Sequence, residues 1–196
     1  MARRHVLIAA FAVCLPSLAG PAAAREAWSF DPQMLLARSP AVIARAPDAT
    51  LDRLFQSVAS AARQPAELQA MCALFDPAAR RDLAAINRTA LRFGEGSQRN
   101  FQQATDALLR AAEDSPRQPY DEALAQRALR QAAIASAMLY DGFVAAINSP
   151  HSDVASQQAR CRALRQLLDT VSMRPLNERA MVTRLLMHEG LRRIER

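Results

Sequence analysis

Lysine is absent from the chain, so all 25 of its basic Lys/Arg positions are arginine. That reads as a coding bias toward arginine and assigns no role by itself. Glycine is scarce, with five in 196 residues, and there is no glycine-rich phosphate loop, no GxSxG nucleophile turn and no CxxCH haem attachment. Of three histidines, His5 falls in an N-terminal leader, which leaves His151 and His188. "HEGLRR" at His188 opens like a zinc-protease helix, but position 192 is Arg192 where the second histidine belongs. Two histidines without free thiols make a poor transition-metal site. No catalytic residue, metal site or cofactor is therefore expected. No stretch alternates β-branched or aromatic residues with polar ones over a strand length. No fixed-period repeat is present, which leaves a solenoid unsupported.

The first residues read as an export signal. Arg3 and Arg4 make a basic start, Val6 to Leu15 an apolar run, and Pro16, Gly20 and Pro21 break it ahead of Ala22-Ala23-Ala24. That order is a secretory signal peptide over residues 1–24, with cleavage after Ala24. The apolar run falls well short of the roughly 20 residues a membrane span needs. Cys14 suggests a lipoprotein only superficially, because Val13 before it is too bulky for that processing. Residues 25–196 then form the mature protein, with 23 arginines against 19 acids for a net charge of +4. They are enough for one domain with a real core, in the periplasm or secreted. No further apolar run anchors it. The charge is too diffuse for nucleic acid, which wants a clustered basic face.

Proline and glycine divide this region into amphipathic helices. "DPQMLLAR" starts with Asp31 as N-cap and Pro32 at the first helical position. Leu51, Leu54, Phe55 and Val58 share one face. Leu68, Met71, Cys72 and Phe75 repeat that spacing, as do Leu83, Ile86, Ala90 and Phe93 in a segment that opens at Asp76-Pro77. "GEGSQ" (94–98) is a flexible loop in which Ser97 can cap the next helix, whose inward set is Phe101, Ala104, Leu108 and Ala112. Val154, Cys161, Leu164, Leu168 and Val171 form another stripe, followed after Pro175 by Leu176, Ala180, Thr183, Met187, Leu191 and Ile194. Between them lies a candidate helix of about 29 residues, 120–148, about twice the usual length. From Ala132 to Ile147 it is apolar nearly all round, the mark of a helix buried in a core. The expected fold is all-α, a single bundle of six or seven helices around this central one.

Asp141, next to Tyr140 and Gly142, interrupts the apolar run. It either meets water on a narrow strip, pairs with an arginine in the core, or lines a pocket as a functional carboxylate. Cys72 and Cys161 remain after leader cleavage, each on an apolar helix face in an oxidising compartment. A disulfide between them closes a loop of about 90 residues and stabilises by at most about 4–5 kcal/mol. Met71 and Met187 sit at core spacing, where gap-filling is the usual role. Solvated faces explain most of the arginines, Arg160, Arg162, Arg165, Arg192, Arg193 and Arg196 included, and anion recognition is the sharper alternative. Three functions fit: a protein-binding bundle (inhibitor, immunity protein, chaperone or secretion accessory), a small enzyme on an anionic carboxylate substrate by class analogy with exported all-helical chorismate mutases, or a carrier of an apolar ligand. An exposed apolar patch of several hundred Å² favours the first; a pocket joining Asp141 to arginines favours the second. Oligomeric state is not legible.

Overall fold

The computed structural model describes residues 32–80 and 82–194. The leader, its cleavage point, Asp31 and Arg196 lie outside them, as do the side chains of residues 32–38, Leu83 and Ile194. The described residues form nine α-helices and one 3-10 turn, with no strand among them. The helices are α1 (Pro32–Arg45), α2 (Asp48–Ala61), α3 (Pro65–Cys72), α4 (Leu83–Ala90), α5 (Glu95–Asp114), α6 (Glu122–Leu139), α7 (Phe143–Asn148), α8 (Val154–Ser172) and α9 (Leu176–Ile194).

Aspartate sets several of the starts. Asp82 accepts from Ala85 N at 2.7 Å, Asp121 from Leu124 N at 3.0 Å and Asp153 from Ser156 N at 2.9 Å. Each satisfies an orphan donor of a first turn. Proline takes the first position of α1 and α3, where no N–H is needed. Two expected starts move. Asp76 and Pro77 open no helix; Asp76 instead accepts from Ala78 N in a turn, and α4 waits for Asp82. The glycines at 94–96 hold no long loop, because Gly94 is already the N-cap of α5 and the helix runs through Ser97.

The helix expected over 120–148 is two helices. Gly142 adopts φ +87°, a left-handed conformation that glycine takes without a side-chain clash. Tyr140 leaves helical geometry, and Gly142 O then accepts from Ala146 N at 2.8 Å to start α7. The run is not buried all round either. Inward positions of α6 are Ala125, Ala128, Ala132 and Ser136, spaced three and four residues apart. These small side chains let α6 approach α8 and α9, the helices it packs on. Ser136 Oγ donates to Thr170 Oγ1 at 3.0 Å across the α6–α8 contact. Large apolar residues of the same run are left outside.

The core forms in connected patches. Val42, Leu51, Leu108, Ala112 and Ala180 join α1, α2, α5 and α9. Phe55 and Ala59 of α2 meet Ala128, Ala132, Val171 and Val182. Leu68, Met71 and Cys72 pack with Phe93, Cys161 and Leu164, while Phe143 and Ala146 seat α7 on Ala163. Phe75, Val154 and Leu176 do not join as expected; they are exposed. Phe75 falls in a 3-10 turn and Val154 and Leu176 at first helical positions, where the helix stripe has not yet met a neighbour.

Candidate functional site

The outer surface of α6 inverts the usual sorting by size, and Val144 of the following α7 stands outside as well. Ile134 is 62 % exposed, Met138 81 %, Leu139 64 % and Val144 60 %, while alanines and a serine fill the buried stripe. Leaving a large apolar side chain in water forgoes roughly 1.5–3 kcal/mol of burial. Arg127, Gln131, Ile134 and Met138 recur at intervals of four, three and four residues, so they share one outward face of α6. All four are exposed.

Asp141 sits in the turn between α6 and α7 and is exposed. It makes no ion pair with any described residue and lines neither cleft described below. The turn at Gly142 carries it out of the helix, and its exposure leaves no buried ion pair there. Tyr140 beside it is half-buried; its hydroxyl accepts from Arg162 Nε at 3.2 Å, and the guanidinium lies 5.9 Å from the ring centroid.

Three arginines are anchors within the fold: Arg160, which the sequence placed among the solvated faces, and Arg179 and Arg184, which it did not single out. Arg184 is 1 % exposed and donates to Ile43 O, to Ala46 O at 2.7 Å and to Asp48 Oδ1 at 3.3 Å. It thereby satisfies carbonyls that end α1, where positive charge is favoured. Arg179 forks onto both carboxylate oxygens of Asp52, at 2.6 and 2.9 Å. Arg160 meets Asp76 Oδ2 at 2.8 Å and His151 O at 2.7 Å. Asp76 is held below the usual carboxylate range by hydrogen bonds from Ser152 and Ala78 and by Arg160. The sequence carried one usable signal: Arg184 follows Thr183 within the inward stripe of α9, and Arg160 precedes the buried-face Cys161.

Cys72 and Cys161 come to disulfide distance, Cα–Cα 5.3 Å, and join α3 to α8 as expected. The Asp76–Arg160 pair ties the same two chain segments. His188 stacks on Tyr120 with ring centroids 5.6 Å apart, and burial, with Arg192 and Arg184 nearby, lowers the histidine pKa. Burial raises that of Tyr120, whose hydroxyl is enclosed without a partner.

Among the clefts formed by described residues, two bear on the alternatives. One of about 260 Å³ between α2 and α5 is lined by Arg53, Gln56, Ser57, Ser60 and Gln103. Another of about 390 Å³ between α3 and α8 is lined by Leu68, Gln69, Gln157, Cys161, Arg162 and Arg165. Neither contains a carboxylate. Among the described residues no helix is long and apolar enough to cross a membrane. In comparisons with known proteins, no family model, curated protein or solved structure matches the chain.

Proposed function

We propose that this chain is an exported, single-domain helical bundle, periplasmic or secreted, that binds another protein through the outer face of α6 and α7. The observation that carries the reading is the inverted sorting on α6, with Ile134 and Met138 outside and Ala128 and Ala132 inside. Contiguous exposed apolar surface marks a contact site more often than chance exposure does. Export rests on the leader over residues 1–24 and accords with cysteines at disulfide distance, which belong to an oxidising compartment. An inhibitor, immunity protein, chaperone or secretion accessory each needs such a face and no catalytic constellation. The carrier and the anionic-substrate enzyme draw less support: neither described cleft sets a carboxylate beside its arginines, and Arg160, Arg179 and Arg184 are engaged by Asp76, Asp52 and Asp48.

Site-specific photo-crosslinking in the producing cell tests the reading. A crosslinker replacing Met138 should yield a discrete protein adduct, and one replacing Arg53 in the α2–α5 cleft should not. Adducts equal at both positions, or none at Met138, contradict it.

A further inference from the structure

The outward row of α6 is charged with one sign only. Ala123, Arg127, Arg130, Ile134 and Met138 follow one another at steps of four, three, four and four residues, so they run along one side of the helix. All five are exposed. The row is cationic in its first half and apolar in its second. Glu122 is the one acid in α6, and it is engaged by Gln126 Nε2 at 3.0 Å and Arg192 at 3.7 Å. Arg127 and Arg130 make no ion pair with any described residue, whereas Arg160, Arg179 and Arg184 are each met by an aspartate. The face therefore holds two unmatched cations upstream of two uncovered apolar side chains.

We propose that the partner on this face is a protein presenting an acidic amphipathic helix, with two carboxylates about one turn apart and large apolar side chains about two turns along from them. This rests on reading the face as a protein interface and deepens it by stating the partner's chemistry. A helix fits because the row repeats at three and four residues, the ridge spacing that seats in the grooves of a second helix. Ala137, three positions on from Ile134, is a small side chain that a facing residue can sit over. No strand edge exists among the described residues on which an extended segment could pair. Each guanidinium offers a carboxylate a planar fork of donors. Arg127 and Ile134 lie about 10.5 Å apart along the axis, which sets the spacing between acidic and apolar positions in the partner. The single sign of charge also sets its direction, since the reverse placement lays carboxylates over Ile134 and Met138 and leaves both arginines unmatched. An anionic bilayer matches the charge but not the apolar part. A helix lying in a membrane surface carries a broad face with tryptophan, phenylalanine or leucine, and this row offers Ile134 and Met138.

The test is a crosslinker at Met138 in the producing cell, with the crosslinked segment of the partner sequenced by mass spectrometry. Expected is a segment with acids three or four residues apart and large apolar residues about two turns away. A synthetic peptide of that segment should bind the purified chain as its own cell processes it. Arg127→Glu combined with Arg130→Glu should weaken that binding by about ten-fold or more, since two attractive pairs become repulsive. Added salt should weaken the wild-type complex in the same direction. Arg127→Lys with Arg130→Lys keeps the charge and should stay within a few-fold of wild type. Circular dichroism of each variant should match the wild type, because both positions are exposed. A crosslinked segment without the acidic pair, from another protein or from a second copy of this chain, overturns the proposal. So does peptide binding indifferent to the charge reversal. Either result leaves the face a protein interface with a different occupant. A lipid adduct at Met138, or none, removes the interface reading as well.

Discussion

At the scale of single residues, what separates anchors from ornaments is where a charge is left when its partner goes. Arg184 fills a buried site against carbonyls at the end of α1, so Arg184→Met should destabilise by about 3 kcal/mol, read from urea denaturation, because enclosed acceptors lose their donor. Asp141→Asn should change stability by no more than about 0.5 kcal/mol, since the side chain is exposed and unpaired. His188 adds a pH dependence. Its folded pKa is lowered by burial first and nearby arginines second, so the unfolded chain takes up the proton first. Stability is then full above about pH 6.5 and declines as pH falls through the lowered folded value. Melting followed from pH 7.5 to 5 should show that decline, and His188→Gln should flatten it. A separate loss at lower pH belongs to Asp76, whose depressed pKa keeps its pairing until it is protonated. The sequence displayed Asp141 as an anomaly because it lies in an apolar run. It could not display the exposure, which depends on one backbone angle at the next residue.

At the scale of elements, that angle divides the helix expected over 120–148. Gly142→Ala forces a side chain into φ +87° and should cost about 1–2 kcal/mol, although open space surrounds the position. Most helix existence was legible because leucine and alanine recur at helical spacing and proline and aspartate mark starts. Helix sidedness in α6 was not legible: alanine counts as apolar in any pattern, and only the packing partners reveal that the small face is inside. The α3–α8 connection was legible, since Cys72 and Cys161 each sit on an apolar stripe. Cys72→Ser should lower Tm by roughly 5–15 °C if the chain-entropy contribution is largely realised. Mass spectrometry without reduction should show the two cysteine peptides linked, and free thiols in exported protein contradict the bridge.

For the molecule as a whole, the buried arginines and the exposed isoleucine and methionine are two sides of one arrangement. Arg160, Arg179 and Arg184 spend cationic charge inside, on contacts that join the turn after α3 to α8, α2 to α9 and the end of α1 to α9. Apolar surface that a solitary fold ordinarily buries stands outside on α6 and α7. Legibility ends here for a physical reason: composition reports how much apolar surface a chain has, and only packing reports which part is left over. The measurement that separates a contact face from misplaced core is the double substitution Ile134→Ser with Met138→Ser, assayed for stability and for complex formation in the same preparation. The predicted result is an unfolding free energy within about 0.5 kcal/mol of the wild type, together with loss of the adduct formed at the neighbouring Leu139 when that position carries the crosslinker. A loss of several kcal/mol in the isolated chain, or an adduct that persists undiminished, contradicts a binding role for this face.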